Sequence, residues 1–373
     1  MLDESQRPAY FLYMVQEWLT LVLNLVVAGM AVMLVSLALE LRANVGITGA
    51  SLVTVITLGD NLNITVQQWT RLETSIGAVK RIRDFNETVK PEDQASETVV
   101  PGEDWPSTGR IELRNVSAAY DAEASDEKPN LALRSIDLEI LPGEKVAICG
   151  RTGSGKSSTI ALLLKLLDPV PGTPSEIMVD GVSLHAVNRA ILRRRFIALP
   201  QEAVLLPDGS SYRQNLDPLD MGASDDDCRR VLELVNLWTV VESSGGLDAS
   251  VTSTSFSHGQ QQLFALAQAV LRRRSRSIRL TASGSPAPGG VLLLDEATSS
   301  VDRETERLMQ RIIREDFKSW TIVAVSHRLE MIMDFDKVVV MDKGEVTETG
   351  NPSALVALEG SKFGKLWKAA KVE

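Results

Sequence analysis

A glycine-rich segment in the middle of the chain has the residue types and spacing that bind phosphate. Residues 150–157 read GRTGSGKS and fit the pattern G-x-x-x-x-G-K-[ST], between an apolar run and a helical run. The glycines let backbone N–H groups surround the phosphates, and the helix N-terminus favours an anion. Lys156 would reach the β- and γ-phosphates of ATP, and Ser157 would bind Mg2+. The predicted nucleotide-binding residues of this loop are Gly150, Arg151, Thr152, Gly153, Ser154, Gly155, Lys156, Ser157 and Ser158.

A second segment ends in two carboxylates. Residues 291–296 read VLLLDE, an apolar run typical of a buried parallel strand. Asp295 would bind Mg2+, and Glu296 would orient and deprotonate the attacking water. Taken alone, the run could be a strand that ends in solvated acids. Together with the phosphate loop, it predicts a P-loop NTPase.

Residues 256–260 identify the kind of NTPase. They read FSHGQ, precede the acidic strand and open an amphipathic helix. The segment resembles Leu-Ser-Gly-Gly-Gln, the signature motif of ATP-binding cassettes. Ser257, Gly259 and Gln260 match it, whereas His258 replaces the first Gly. Ser257 can cap the helix and bond a phosphate oxygen, and the resemblance implies that this phosphate belongs to ATP held by the opposite cassette.

The resemblance implies roles for four further residues, in the family's order along the chain. Gln201 matches the Q-loop glutamine, which contacts Mg2+ and water and relays to the membrane part. Asp302 matches the D-loop residue, and His327 matches the switch histidine near the γ-phosphate. Tyr120 matches the aromatic residue that stacks on adenine. Taken without the resemblance, His327 would be a surface histidine and Tyr120 a strand aromatic.

The N-terminal part has two segments long enough to cross a bilayer. Residues 20–41 are apolar on every face, with Trp18 at the near end, although a buried soluble helix is the alternative. Residues 46–66 are less apolar and contain Asn61 and Asn63, as a helix lining a polar pathway would. A basic stretch follows, so both ends of this hairpin are expected in the cytosol. The predicted spans are residues 17–41 and 46–66.

The rest of the chain is predicted to form an α/β domain. Residues 1–83 would be part of a transmembrane domain, and residues 84–109, rich in Glu, Asp, Pro, Ser and Gly, a linker. From residue 110 to 373, short β-branched runs alternate with amphipathic stretches. The predicted fold is therefore a P-loop NTPase of ATP-binding-cassette type, with a mixed sheet core and an α-helical subdomain, preceded by a two-helix transmembrane hairpin. Residues 275–290 are predicted to be a flexible surface insertion.

Charge and cysteine content narrow the possible partners. The formal net charge is -10, and no basic patch stands out, so no nucleic-acid partner is expected. The two cysteines make neither a metal spacing nor a disulfide framework, which fits a reducing cytosol. The expected cofactors are ATP and Mg2+, and the lipid bilayer is an expected partner.

Most of the chain resembles one group of transporters. Residues 5–19, the two spans, residues 69–82, FSHGQ and the run NLDP at 215–218 resemble the C-terminal portion of ABC transporter subfamily C, the multidrug-resistance-associated type, and its fungal members most. The resemblance implies ATP-driven export of organic anions, conjugates or drugs across the plasma or vacuolar membrane, with the cassette on the cytosolic side.

The resemblance covers only part of such a transporter. A second nucleotide-binding domain and the rest of the transmembrane bundle would be required partners, and the chain would correspond to a gene fragment or a truncated gene model. Two alternatives are a nucleotide-binding remnant without transport activity and a soluble ABC-type ATPase. The apolar hairpin disfavours the soluble ATPase.

Overall fold

The structure, a computed structural model, describes residues 2–42, 44–89, 91–120, 130–252, 255–284, 289–298, 301–326 and 328–370. The chain divides into two compact units, Met1–Glu92 and Asp93–Glu373.

The first unit is a pair of long helices, α1 (Leu2–Glu40) and α2 (Val45–Thr88). The side-chain oxygen of Asn44 accepts a hydrogen bond from the Gly46 N–H at 2.9 Å, which fixes the start of α2. Both helices contain a stretch that is long and apolar enough to cross a membrane. They continue beyond the predicted spans of 17–41 and 46–66, because polar but helix-favouring residues extend each apolar stretch.

Polar and small residues join the two helices. The Asn63 side-chain amide donates to the Asn24 side-chain oxygen at 3.0 Å. A Cβ at Gly59 would lie 2.9 Å from a methyl of Val27, so the helices are in close contact there. Asn63, predicted to face a polar pathway, is therefore bonded within the hairpin, and its partner Asn24 was not foreseen.

The second unit contains two sheets. The four-stranded antiparallel sheet has the order β2-β1-β4-β5, and the six-stranded sheet has the order β10-β9-β3-β8-β7-β6. In the larger sheet β9, β3, β8, β7 and β6 are parallel, and β10 pairs antiparallel at one edge. The strands are β1 (Ile111–Ala118), β2 (Leu133–Ile140), β3 (Lys145–Gly150), β4 (Glu176–Val179), β5 (Val182–Ser183), β6 (Ile197–Leu199), β7 (Val291–Asp295), β8 (Thr321–Val325), β9 (Lys337–Asp342) and β10 (Glu345–Gly350).

Among its described residues, the second unit also contains ten named helices, four of which lie between β6 and β7 in the sequence. They are α3 (Lys156–Leu163), α4 (Arg189–Arg195), α5 (Tyr212–Leu216), α6 (Asp225–Leu234), α7 (Trp238–Ser243), α8 (His258–Ala282), α9 (Arg303–Asp316), α10 (Leu329–Ile332), α11 (Pro352–Ala357) and α12 (Lys362–Ala370). From α5 to α8 they form a helical subdomain whose core includes Phe256 and Phe264, with ring centroids 5.1 Å apart.

The order of the strands determines where the glycine-rich loop and the acidic residues lie. Strand β8 lies between β3, which leads into the glycine-rich loop, and β7, which ends in Asp295. All three strands are parallel and their central residues are buried. Their C-terminal ends therefore meet at one edge of the sheet, as in other open α/β folds.

The predicted linker, residues 84–109, differs from the structure at both ends. Helix α2 continues to Thr88, and the second unit begins at Asp93. Trp105 is buried, and its indole N–H donates to the Val179 carbonyl at 2.9 Å. Glu97 is also buried and forms ion pairs within the second unit. The polar composition of this segment predicted a linker, although Trp105 and Glu97 within it are buried in the second unit.

The predicted surface insertion, residues 275–290, is also wrong at its start. Helix α8 runs to Ala282. The cause is Arg276, whose guanidinium donates to the backbone carbonyls of Asp104 and Pro106 at 2.9 Å each and lies over the Trp320 ring. These contacts stabilise a helical turn that its basic composition had marked as surface.

Candidate nucleotide site

The glycine-rich loop depends on two glycines and on hydrogen bonds from Lys156 to the carbonyls of the loop. Gly150 and Gly155 have φ of +151° and +100°, and a Cβ at Gly150 would lie 2.3 Å from the Met341 carbonyl oxygen. Only glycine fits there. The Lys156 ammonium donates to the carbonyls of Gly150 and Arg151 at 3.2 and 3.1 Å. Burial lowers the pKa of Lys156, while the carboxylates of Glu296 and Asp295 raise it. The lysine is therefore a desolvated cation at the loop.

The loop and the acidic strand meet at Ser157. Its hydroxyl donates to Oδ1 of Asp295 at 3.0 Å. Burial raises the pKa of Asp295, and the charge of Glu296 adds to this, whereas Ser157 and Lys156 lower it. Mg2+ prefers such hard oxygen ligands, and a cation there would favour the ionised Asp295. Two of the three predicted metal ligands, Ser157 and Asp295, are thus adjacent and fit Mg2+, whereas Gln201 is not hydrogen-bonded to either of them in the described residues.

Glu296 has an unusual backbone conformation. Its φ is +49°, in the left-handed region that a non-glycine residue rarely adopts. Its N–H donates to the Val325 carbonyl at 3.0 Å, so the neighbouring strand β8 fixes it. Such backbone strain clusters at functional sites. The left-handed conformation lies at the end of strand β7, one residue after Asp295.

One polar atom of the loop lacks a partner among the described residues. The Ser154 hydroxyl is buried and accepts or donates no hydrogen bond there, although its backbone is bonded to Arg151 and Gly344. Buried polar atoms are normally satisfied. A hydroxyl in this state fits a loop that holds a phosphate, and with Lys156 it indicates that the site suits a nucleotide.

The predicted adenine-stacking residue lies beside the loop. The Tyr120 hydroxyl and the Ser158 hydroxyl are 3.1 Å apart, and the side chain of Tyr120 is largely exposed. An exposed aromatic ring adjacent to a phosphate site can stack on a base. The structure therefore places Tyr120 next to the loop, and stacking on adenine stays a prediction.

Gln201 is held by a residue that the sequence analysis missed. The buried side-chain amide of Gln262 in α8 donates to the Gln201 backbone carbonyl at 2.5 Å. No hydrogen bond joins Gln201 to Ser157 or Asp295 in the described part of the chain. The available signal was the position of Gln262, which shares a helix face with Leu266, i to i+4, and so faces the core.

The signature residues form a helix start. Ser257 caps α8: its hydroxyl accepts from the Gln260 N–H at 3.3 Å, and the Gln260 side-chain oxygen accepts from the Ser257 N–H at 2.9 Å. Within the described ranges, no hydrogen bond or ion pair connects residues 257–260 to the glycine-rich loop. Ser257 and His258, at the start of α8, are exposed.

The D-loop residue also caps a helix. Asp302 accepts from the N–H groups of Glu304 and Thr305 at 3.0 and 3.1 Å, at the start of α9. Hydrogen bonds from Thr305 lower the pKa of Asp302. His327 lies outside the described residues. Its neighbour Arg328 bonds the Val301 carbonyl at 3.2 Å and pairs with Glu306, which links the D-loop to the segment after β8.

Comparison with known proteins agrees with this geometry. Residues 133–278 match the family model described as ABC transporter. The second unit is an ABC-type P-loop NTPase domain, preceded by two helices that could span a membrane. This confirms the predicted fold class. A bacterial Atm1-family ABC exporter with ATP bound has the same fold, with a TM-score of 0.68, 22% identity, and coverage of 100% of this chain and 61% of that one.

The chain thus contains an ABC-type P-loop NTPase domain, and several proteins similar to the whole chain are fungal. It is 51% identical to the ABC-type transporter braE of Annulohypoxylon truncatum over 98% of this chain. It is 48% identical to the ABC transporter FGM5 of Gibberella zeae over 100% of it, and 42% identical to the ABC multidrug transporter B of Aspergillus fumigatus over 99%. It spans 26%, 25% and 24% of these relatives, about a quarter of their length.

Proposed function

We propose that this domain binds Mg-ATP and hydrolyses it to drive export across a membrane. The observation that carries the proposal is the 3.0 Å hydrogen bond between Ser157 and Asp295. It joins the phosphate loop and the acidic strand, whose bonded residues are 138 positions apart in sequence, and the charges of Glu296 and Asp295 act on Lys156 there.

Each residue has a distinct task in hydrolysis. Lys156 and the loop N–H groups would bind the phosphates, and Ser157 and Asp295 would hold Mg2+, which supplies charge neutralisation when bound. Glu296 would orient the attacking water and take its proton, and His327 would contact the γ-phosphate. Gln201, fixed through its backbone by Gln262, would contact the same metal shell.

The domain needs partners. The signature helix start at Ser257 makes no contact with this chain's own phosphate loop among the described residues, which supports pairing with ATP on a second nucleotide-binding domain. Two membrane helices cannot enclose an aqueous route, so further spans must complete the bundle. We infer that both partners are supplied by parts of a transporter beyond these 373 residues.

The finer assignment is to ABC transporter subfamily C. The segments FSHGQ and NLDP support it, and it implies organic anions, conjugates or drugs as substrates, at the plasma or vacuolar membrane. The name of one relative, an ABC multidrug transporter, agrees with drug export.

Steady-state ATP hydrolysis tests the proposal. The chain is assayed alone, and then with the missing half of a related transporter. We expect turnover that rises when the second signature is supplied. ATP binding without turnover in the complete assembly would instead show a nucleotide-binding remnant.

A further inference from the structure

Two runs of arginine, far apart in sequence, line one cavity of the second unit. Arg194 and Arg195 end helix α4, and Arg272, Arg276 and Arg279 lie in the second half of α8. The cavity has a volume of about 250 Å3, and Glu103 is the one acidic residue that lines it among the described residues. The sequence analysis saw no basic patch because the two runs are separated by the helical subdomain.

The five arginines have no carboxylate partners. In the part of the chain that the structure describes, none of them forms an ion pair, whereas Arg273 and Arg274 next to them both pair with Asp316. Arginine is rarely left buried or clustered without an anion. Glu103 and Asp104 lie close enough to act on Arg195, and Asp104 on Arg276, so the five positive charges are balanced only in part.

Three of the five arginines donate hydrogen bonds to backbone carbonyls. Arg276 bonds the carbonyls of Asp104 and Pro106, and Arg195 bonds those of Gly102 and Trp105. Arg272 donates to the Arg193 carbonyl at 2.6 Å, and its Nε is buried without a described partner. These bonds satisfy some N–H groups but neutralise no charge.

The remaining two arginines have no described contact. Arg194 and Arg279 are exposed at the rim, and no hydrogen bond or ion pair engages them within the described ranges. Both lie in the last turn of a helix, where a cation complements the helix dipole. That effect explains a positive charge at each helix end, but not why both ends meet in one cavity.

The arginines of the cavity also repel one another. Burial and, to a smaller extent, the charge of Arg194 lower the pKa of Arg272 to about 10. Burial likewise lowers the pKa of Arg276 to about 10, with Arg195 and Arg279 adding to the effect. A bound anion would offset this cost.

We propose that this arginine cavity binds a small anion that carries several phosphate groups. Planar guanidiniums bind phosphate in a bidentate manner, and the volume suits a compact charged group rather than a drug-sized ligand. The cavity lies fourteen or more residues along α8 from His258, which is about 20–30 Å from the signature. The site is therefore distinct from the nucleotide site, and the proposal does not depend on ATP hydrolysis.

The chemistry fits either a soluble phosphorylated inositol or the head group of a phosphoinositide lipid. The soluble arm titrates inositol trisphosphate into the full chain in detergent, with ADP and Mg2+ saturating the glycine-rich loop. The lipid arm reconstitutes the chain in phosphatidylcholine vesicles with or without phosphatidylinositol bisphosphate. It measures protection of Arg194 and Arg279 from phenylglyoxal by mass spectrometry.

The test variant is Arg194→Gln with Arg279→Gln, which removes two exposed side chains without described bonds. The matched control is Arg307→Gln with Arg311→Gln, two exposed arginines one turn apart on α9. We expect the test variant to weaken inositol trisphosphate binding about tenfold or more, and the control to leave it unchanged. Protection in the lipid arm alone would identify the lipid head group as the source.

Three results would overturn the proposal. One is that neither probe binds. Another is that the control weakens binding as much as the test variant, which would show general electrostatic attraction. The third is that a single-stranded oligonucleotide binds more tightly than inositol trisphosphate and is lost in the test variant, which would make the surface a nucleic-acid site.

Discussion

At the scale of single residues, Glu296 is the group whose position most needs explanation. Its left-handed backbone conformation is held by a hydrogen bond to Val325 of the strand beside it. Asp295, one residue earlier, is bonded to Ser157. The two adjacent carboxylates therefore differ in setting: Asp295 is bonded to the phosphate loop, and the backbone of Glu296 is bonded to strand β8.

The proposed roles predict unequal effects of two substitutions. Glu296→Gln removes the proposed general base and should reduce ATP turnover by about 10²–10⁴ in the reassembled transporter. His258→Gly restores the usual signature residue and should change turnover only a few-fold, because we propose that this signature contacts the partner's ATP, at what the subfamily resemblance implies is the weaker site. Steady-state hydrolysis by both variants decides the matter. A greater loss from His258→Gly would remove catalysis from this chain's own phosphate site.

The site residues that were predictable are those with a fixed local pattern. Lys156, Ser157 and Asp295 follow from short motifs, because a phosphate loop and an acidic strand end need defined spacings. The role of Gln262 could not be predicted from a motif, because Gln262 bonds the backbone carbonyl of Gln201, 61 residues away. The arginine cavity was also not predicted, because no local sequence pattern indicates that α4 and α8 line the same cavity.

At the scale of elements, a buried ion-pair cluster anchors the start of the second unit. Glu97 pairs with the Lys165 ammonium at 2.8 Å and the Arg189 guanidinium at 2.6 Å, and all three side chains are buried. Burial raises the pKa of Glu97, but hydrogen bonds from Lys165 and Arg189 outweigh it, so that the pKa is lowered. The segment before β1 is thus part of the domain, although its composition predicts a linker.

Glu97→Gln leaves the buried Lys165 ammonium without an ion pair among the described residues, although Arg189 keeps its pair with Asp168. It should destabilise the second unit by about 3–5 kcal/mol. The control, Glu233→Gln, breaks an exposed pair with Arg229 and should cost under about 1 kcal/mol. Thermal denaturation of the full chain at several pH values measures both.

The pH dependence has a definite sign. Because the folded-state pKa of Glu97 is depressed, its stabilisation is present above the ordinary value of 4.5 and is lost as pH falls through the folded value. The difference between the parent chain and Glu97→Gln should therefore shrink below about pH 4.5. A difference that is constant down to the acid limit would contradict an ionised Glu97.

At the scale of the whole molecule, the chain consists of two units whose surfaces differ in polarity. The first unit exposes apolar residues along α1 and α2, as helices facing lipid would. The second has its own sheets and cores. The apolar length and the alternating strand pattern made this division predictable. Its boundary was not predictable, because α2 continues about six turns beyond residue 66, where the predicted span ends.

The chain by itself should not transport. Vesicles containing only these 373 residues are expected to show no ATP-dependent accumulation of a glutathione conjugate, because two spans offer no enclosed polar route. Co-reconstitution with the missing half of a related transporter is the positive control. Accumulation by the chain alone would mean that identical copies build the bundle.

The central claim is that the glycine-rich loop binds Mg-ATP through Lys156, and equilibrium ATP binding to the full chain in detergent tests it most directly. Lys156→Ala removes a buried cation from the phosphate site and should weaken binding about tenfold or more. Lys318→Ala, an equal change at an exposed lysine, should have no effect. If the Lys156→Ala chain binds ATP as tightly as the parent chain, the assignment of the nucleotide site is wrong.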